Sequence, residues 1–265
     1  GAPEPLGAAG MSEEPAGGPP SPVLRPDSTN IVLVVVDTLR ASHMSSFGYP
    51  RPTSPRMDDI GRRGVFFENA VAQKTHTAPS VASIFTGNYP ADHGVAANKD
   101  ILAEWNTTLT EHLRSEGYTT AAFVHNPVLS EFFQFDQGFG EFTLLHAETD
   151  AEHAASAGLL NERVVPWLEE QRKEPFFLWV HYIDPHTPYV VPQDYEILFL
   201  DDFLFGKDET PWPGIAEKTS FAAVKRTAVI DGPADVNYYT AQYDAEIRYV
   251  DNSIGELFDC LQQLG

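Results

Sequence analysis

The chain has 265 residues, of which 42% are hydrophobic, so it is long enough to form one large domain or two small ones and is not a disordered or fibrous protein. It has 38 Asp and Glu residues against 17 Lys and Arg residues, and the resulting net charge of −21 argues against nonspecific binding to nucleic acid or to an anionic membrane surface. The single cysteine, Cys260, excludes an internal disulfide framework and a cysteine-rich zinc site, and no apolar run approaches the roughly 20 residues of a membrane-spanning helix.

The chain begins with a segment that we expect to lie outside the fold. Residues 1–29 are rich in Pro and Gly and have few large apolar side chains, which is typical of a disordered leader. From residue 30 the composition changes to Ile-Val-Leu-Val-Val-Val, a β-branched run that predicts a strand over residues 31–36. A strand of this composition is expected to be buried on both faces of a parallel sheet, and it ends at Asp37.

Two short helices are predicted after the first strand. One covers residues 55–63 and stops at Gly64, and the other covers residues 79–85 and stops at Gly87. Proline suits the first turn of a helix, and glycine suits the position just after its end. The segments between and after them are rich in Gly, Pro, Ser and Asn and are predicted to be loops.

A capping box predicts the next helix. Thr108 is followed three residues later by Glu111, and the helix should end at Gly117. The apolar residues 120–124 then predict a strand, so this part of the chain has a helix followed by a strand.

The alternation of helices and strands continues to the end of the chain. An amphipathic helix is predicted around residues 151–172, with a kink or a restart at Pro166. A strand over residues 175–182 and a helix over residues 238–264 follow. The pattern predicts an α/β fold with a mostly parallel central sheet. Because the chain ends directly after a helix, where another strand is due, we expect residues 30–265 to be one incomplete domain.

Chemically active side chains follow each predicted strand. In open α/β sheets, ligands bind at the carboxyl ends of the strands. The residues at these positions are Asp37, Thr38 and Arg40 after the first strand, His125 and Asn126 after the second, and Asp184 and His186 after the third.

Asp37 has two interpretations. It is either a helix N-cap or turn residue, which is common for Asp after a strand, or a ligand for a hard cation held rigidly by the strand end. Taken alone, the residue favours the first.

The hydroxyl-rich segment before Pro79 also has two interpretations. Thr77 is either the N-cap of the helix that begins at Pro79 or a nucleophile at a helix N-terminus, where free N–H groups favour an anion such as phosphate or sulfate. A hydroxyl is weakly nucleophilic without a base or a metal, so the second interpretation requires a cation nearby.

Six ordered segments resemble the amino-terminal half of the sulfatase family, within the alkaline phosphatase superfamily. The resemblance spans about residues 30–265 and implies an alkaline phosphatase-like three-layer sandwich with a mostly parallel central sheet. The segments are residues 34–40 (VVVDTLR), 47–55 (FGYPRPTSP), 77–94 (TAPSVASIFTGNYPADHG), 117–126 (GYTTAAFVHN), 176–189 (FFLWVHYIDPHTPY) and 243–251 (YDAEIRYVD).

The resemblance implies roles for several residues. Asp37 would be a metal ligand, Thr77 the nucleophile and a second ligand, and His186 a proton donor to the leaving group. The remaining candidates, all at the substrate, are Asn98, His125 and Arg40. His186 and Asn98 have simpler alternatives, since the first could only close a turn and the second could be a loop residue.

Two positions depart from the family pattern. Sulfatases have a Cys or Ser that is oxidised to formylglycine, and usually an Arg four residues later, where this chain has Thr77 and Val81. Threonine is not a substrate for that oxidation, so formylglycine is not expected. The superfamily also uses threonine for attack on phosphorus, and phosphoryl chemistry is therefore favoured.

The resemblance also implies a divalent cofactor, which could be Ca, Mn, Mg or Zn. Thr38 stands where a second acidic ligand is usual, and the family's other ligands follow a helix like residues 238–264, so we expect a sparse metal site. The predicted function is a hydrolase or transferase acting on sulfate or phosphate esters of a small molecule, glycan or lipid. The alternative is an inactive sulfatase-like domain that serves as a binding or scaffold protein. The family resemblance points to a periplasmic, extracellular or membrane-anchored exterior location.

Overall fold

The computed structural model describes residues 29–146, 156–171, 175–200, 220–221, 224–225 and 236–264. The predicted leader therefore lies outside the described residues, except for Thr29. Residues 151–155 and 172, which were included in the predicted amphipathic helix, also lie outside them.

Four parallel strands form the central sheet. They are β1 (Ile31–Val36), β2 (Thr119–Val124), β3 (Glu141–Leu144) and β4 (Phe176–Tyr182), in the spatial order β1-β4-β2-β3. The predicted α/β fold with a parallel sheet is confirmed. β3 was not predicted, because four residues with a charged start are too short to show a clear pattern.

The central strand is β4, and every one of its residues is buried. β1 pairs only with β4 among the described strands, and its residues are half-buried. β1 packs against a core on each face, as expected, but its burial is only partial because an edge position leaves part of each side chain uncovered.

Seven α-helices are described around the sheet. They are α1 (Pro55–Arg63), α2 (Thr77–Thr86), α3 (Pro90–His93), α4 (Leu109–Ser115), α5 (Ser156–Glu170), α6 (Gln193–Glu196) and α7 (Val236–Leu264). Two short strands, β5 (Ser220–Phe221) and β6 (Val224–Lys225), form a separate antiparallel pair. None of the described helices is both long enough and apolar enough to cross a membrane.

The side chains of β4 point alternately into two hydrophobic cores, one on each face of the sheet. Leu178 and Val180 face one core, which they share with α5 and α7 through residues such as Leu160 and Val250. Phe177 and Trp179 face the other core, which includes Phe85 and Ala82 of α2. Successive side chains of a strand point to opposite faces, so the sheet lies between two helical layers.

Two predicted helices differ from the structure in their details. α2 begins at Thr77, two residues before the predicted start, with His76 at the N-cap position and no side-chain cap. Proline at the third helical position loses only an N–H that has no partner in the first turn, so Pro79 does not mark the start. α5 continues through Pro166, which is compatible with the predicted kink but not with the alternative of a restart.

α3 lies in a segment that was predicted to be a loop, because a helix of four residues is too short to show a periodic pattern. The boundaries of α1 and α4 agree closely with the sequence pattern. α1 covers residues 55–63 as predicted, and Gly64 follows it. In α4, the Thr108 hydroxyl accepts from Glu111 N at 3.2 Å and the Glu111 carboxylate accepts from Thr108 N at 2.8 Å, which confirms the capping box. Gly117, with a φ of 91°, follows this helix.

A candidate active site at the carboxyl end of the sheet

Asp37 is the centre of a small polar cluster where β1, β2 and β4 meet. It follows β1 directly, its side chain is buried, and its backbone N–H donates to Tyr182 O at 2.9 Å. Asn126, just after β2, donates through Nδ2 to Asp37 Oδ2 at 2.7 Å. His181, near the end of β4, has Nε2 3.5 Å from the same oxygen.

Thr77 lies beside this carboxylate as the first residue of α2. Its hydroxyl donates to Asp37, with Oγ1 3.2 Å from Oδ2 and 3.4 Å from Oδ1. Because Thr77 is at a helix start, its hydroxyl is close to backbone N–H groups that have no intrahelical partner and favour an anion. The structure thus brings together Asp37 and Thr77, which are 40 positions apart in the sequence.

The amide of Asn126 has a fixed orientation. Its Oδ1 accepts from Val128 N at 3.1 Å, which caps the single turn of 3₁₀ helix at Pro127–Leu129. The Nδ2 group must then face Asp37, where it donates. Asn126 therefore stabilises the Asp37 carboxylate as a hydrogen-bond donor.

The environment of Asp37 favours its charged form. Burial raises the pKa of this carboxyl group, but the hydrogen bond and charge of His181, the charge of His186 and the hydrogen bond from Asn126 outweigh burial. The pKa of Asp37 is therefore lowered below its ordinary value. A carboxylate held ionised in a buried site is suited to bind a cation or to orient a hydroxyl group.

Sequence reasoning missed His181 as a member of this cluster. The signal was a single imidazole in the apolar strand FFLWVHY, two residues after Trp179, with which it shares a face of the sheet. His181 is 1% exposed, and its Nδ1 has no hydrogen-bond partner among the described residues.

His186 lies in the turn that follows β4. Its backbone N–H donates to Ile183 O at 2.8 Å, and its Nδ1 is 2.7 Å from Thr187 O. Because a carbonyl oxygen only accepts, Nδ1 carries a proton and Nε2 is the nitrogen left to exchange one. His186 is close enough for its charge to lower the pKa of Asp37, although no direct hydrogen bond between the two is found in the described part of the chain.

The three candidates for substrate contact occupy different surroundings. Asn98 accepts from Ala78 N at 3.0 Å through Oδ1, and so caps the first turn of α2. His125 is buried, and its backbone N–H donates to His181 O at 3.0 Å. Arg40 is exposed, and its backbone N–H donates to the hydroxyl of Tyr243 at 2.9 Å.

The side chains at this site have the right donor atoms for a divalent metal, but few such side chains are present. The oxygens of Asp37 and Thr77 are the donor type that hard cations prefer. Over the described ranges, however, no group of three or more His, Cys, Asp and Glu side chains could hold a metal ion. The described chain thus offers two candidate ligands.

Sequence comparison assigns relatives to the chain. The sulfatase family model matches residues 29–265. Human iduronate 2-sulfatase is 24% identical over 292 residues, which cover 90% of this chain and 52% of that protein. N-acetylglucosamine-6-O-sulfatase of Bacteroides thetaiotaomicron is 26% identical over 174 residues, covering 59% of this chain and 30% of that protein. The chain spans about half the length, or less, of these relatives.

Solved structures share the fold. The phosphonate monoester hydrolase of Agrobacterium radiobacter has a TM-score of 0.69 at 20% identity, covering 89% of this chain and 60% of that one. A protein in complex with its substrate D-glucosamine-2-N,6-O-disulfate has the same TM-score and identity, covering 91% and 63%. The periplasmic domain of EcEptC from Escherichia coli, in complex with Zn, has a TM-score of 0.58 at 17% identity, covering 88% and 59%. These likenesses establish an alkaline phosphatase-like fold.

Proposed function

Because the chain belongs to the sulfatase family, we propose that residues 30–265 form the α/β domain of a metal-dependent hydrolase or transferase of sulfate or phosphate esters. Thr77 is the nucleophile and Asp37 a metal ligand. The observation that supports this assignment is the hydrogen bond from the Thr77 hydroxyl to the buried Asp37 carboxylate at the start of α2. A nucleophile and an anion-binding helix end then occupy the same place.

The residues of this chain have distinct tasks in the proposed reaction. The N–H groups at the start of α2 hold the anionic group of the ester next to Thr77. The hydrogen bond to Asp37 orients the Thr77 hydroxyl, and the Asp37 carboxylate takes its proton as Oγ1 forms a bond to the central atom. The bond to the leaving alcohol breaks, and His186 Nε2 donates a proton to the departing oxygen. Water or an acceptor alcohol, whose proton passes to His186 Nε2, then attacks the central atom, and the bond to Oγ1 breaks as Asp37 returns the proton to Thr77.

A divalent cation fits this place in donor type, and Asp37 and Thr77 would hold it. It would lower the pKa of the hydroxyl and neutralise charge on the transferred group. The lowered pKa of Asp37 is consistent with this role, because the residue is ready to bind a cation without first losing a proton.

We favour phosphoryl transfer over sulfate hydrolysis. Thr77 is not a substrate for oxidation to formylglycine, whereas its hydroxyl can attack phosphorus directly. A phosphonate monoester hydrolase shares the fold, so the architecture is compatible with a reaction at phosphorus. Other relatives are named for sulfated sugars, which makes a glycan ester a reasonable class to test beside lipid and small-molecule esters.

The assignment predicts the behaviour of variants at Thr77. In the natural full-length protein, supplied in turn with Ca, Mn, Mg and Zn, we expect faster turnover of an aryl phosphate or phosphodiester than of an aryl sulfate. Thr77→Ala should lower kcat by about a thousandfold or more because the nucleophile is lost. Peptide mass spectrometry should find a phosphoryl adduct on Thr77 of the wild-type protein.

Thr86→Ala is the matched control, since Thr86 ends the same helix and its hydroxyl donates to Ala82 O. It should leave turnover unchanged. Sulfate hydrolysis that equals phosphate hydrolysis and survives Thr77→Ala would contradict the assignment.

The second candidate function is a non-catalytic binding or scaffold domain. Val81 stands where the family usually has Arg, and it is 2% exposed within the core that α2 shares with the sheet, so no charged side chain reaches the site from that position. Binding of an aryl phosphate without turnover, in the natural protein and with each metal, would favour this function.

We propose that the protein is located outside the cytoplasm, in keeping with its periplasmic structural neighbour.

A further inference from the structure

The turn that holds His186 is tied to the helical layer at both of its ends. At its start, the Ser156 hydroxyl of α5 donates to Asp184 Oδ2. At its end, Val190 N donates to Glu246 Oε1 of α7 at 2.7 Å. Asp184 and Glu246 are close enough for a hydrogen bond between their carboxyl groups to raise the pKa of Glu246. One pair of carboxyl groups therefore joins the two ends of the turn.

Two carboxyl groups can form this hydrogen bond only when one of them has a proton. Asp184 is 3% exposed and Glu246 is 2% exposed, so water does not separate their charges. Burial raises the pKa of Glu246 well above its ordinary value, and the charge of Asp184 raises it further. Glu246 is thus the proton donor, and Asp184 is the carboxylate that accepts from both Glu246 and Ser156.

The other titratable groups around the pair are mostly tyrosines. The charge of Asp184 raises the pKa of Tyr182 in β4 and of Tyr249 in α7. The charge of Glu246 raises the pKa of Tyr189 in the turn. Burial raises the pKa of each of these hydroxyls, so they stay neutral while the pair titrates. Two other charges act on these tyrosines: Arg40 lowers the pKa of Tyr189, and Glu256 of α7 raises the pKa of Tyr182 and of Tyr249.

We propose that Asp184 and Glu246 share one proton and thereby hold residues 184–190 in the conformation that positions His186. This inference rests on the proposed function, in which His186 protonates the leaving group. Loss of the shared proton places two negative charges in contact in a buried site, so the turn separates from α7 and His186 moves away from Thr77. Asp184 and Glu246 are positioning residues, since neither is placed at the substrate.

Glu246→Gln separates the effect of the proton from that of shape. Glutamine can accept from Val190 N through its oxygen and donate to Asp184 through its nitrogen at any pH. Glu246→Ala removes both bonds. Glu256→Gln, an exposed position on the same helix, is the matched control.

Hydrogen exchange of residues 183–191, corrected for intrinsic rates, tests the pair without any turnover. We expect protection in the wild-type chain to fall about tenfold or more when the pH is raised from a value at which the pair keeps its proton to one at which it has lost it. Glu246→Gln should keep its protection at both pH values, Glu246→Ala should lose it at both, and Glu256→Gln should behave as the wild type. Wild-type protection that does not change with pH, or Glu246→Gln behaving as Glu246→Ala, would overturn the proposal.

Turnover by the natural full-length protein tests the link to His186. Glu246→Ala should lower kcat by about 10- to 100-fold with little change in KM, because the proton donor is displaced rather than the substrate site. Glu246→Gln should restore kcat and extend it to higher pH. If hydrogen exchange changes across the variants as expected but kcat does not change with it, the positioning role is wrong. If no variant, including Thr77→Ala, changes turnover, the proposed function fails while the carboxyl pair still holds the turn.

Discussion

Asn98 illustrates how one side chain can serve both a helix and a ligand. Its Oδ1 accepts from Ala78 N at the start of α2, so this atom is already used. The amide nitrogen is the part that could contact an anionic substrate. The structural role and the proposed substrate role therefore belong to different atoms and can be tested separately.

Two substitutions at Asn98 distinguish these roles. Asn98→Asp keeps the acceptor for Ala78 N but puts a negative charge where the substrate anion would bind, so we expect unchanged stability and a KM raised about tenfold or more. Asn98→Ala removes the cap and should cost about 1 kcal/mol of unfolding free energy, measured in urea. An unchanged KM in Asn98→Asp would exclude Asn98 from the substrate site.

At the scale of single residues, the sequence predicted part of the polar cluster around Asp37. Asp37 and Asn126 could be placed together because both follow strands of a parallel sheet, whose carboxyl ends share an edge. His181 could not, because a histidine inside an apolar strand shows nothing about its neighbours until the strand order is known. The hydrogen bond between Thr77 and Asp37 depends on where α2 begins, and Pro79 gave a start two residues too late.

Among the elements, α7 has a direct connection to the segment that follows β1. The buried Asp244 carboxylate accepts from Arg51 Nη1 and Tyr49 OH, each at 2.6 Å, and pairs with His43 Nδ1 at 2.7 Å. The neighbouring Tyr243 hydroxyl donates to Thr38 O at 2.7 Å. α7 therefore holds the chain immediately after Asp37, although it contributes no residue to the cluster itself.

Asp244→Asn should weaken this connection strongly. It removes the charge opposite Arg51 and places an amide N–H against groups that donate. We expect a loss of about 2–3 kcal/mol in unfolding free energy, less than for a fully buried pair because Arg51 and His43 are partly exposed. Asp259→Asn on the same helix breaks an ion pair with Arg56 that is about half exposed and should cost about 0.5 kcal/mol or less. Equal losses in the two variants, measured in urea, would contradict this interpretation.

Helix boundaries could be predicted where a proline or a glycine marks them clearly. Pro55 and Gly64 bracket α1, and both ends agree with the structure. Pro166 was an equally clear signal for a kink or a restart. α5 nevertheless continues through it, because packing against β2, β4 and α7 outweighs one lost hydrogen bond. Local signals therefore placed helices better than they placed interruptions.

For the whole molecule, the net charge of −21 acts against the approach of an anionic ester. Salt screens this repulsion, and the Debye length falls from about 30 Å at 0.01 M to about 8 Å at 0.15 M ionic strength. We therefore expect kcat/KM for an aryl phosphate to rise about two- to tenfold over this range. The control is kcat at saturating substrate, which should not change. A fall in kcat/KM with salt would mean that a local positive site dominates the field.

The fold class was accessible from sequence because alternating elements allow few architectures. The strand order was not, since it depends on which distant segments pair. β1 precedes the other strands by a long interval, yet it pairs with β4 and not with β2. Its edge position, and thus its half-burial, follow from that order and not from its own composition.

The pairing of β1 with β4 also affects how the protein is made. Asn30 and Phe176, which are hydrogen-bonded at the start of this pair, are 146 positions apart. The ribosome therefore releases β1 long before its partner exists, and the uncharged, β-branched run Ile31–Val36 has the composition of an aggregation-prone segment. We expect the nascent chain to depend on a chaperone until β4 emerges, and β1 to join the sheet late in folding.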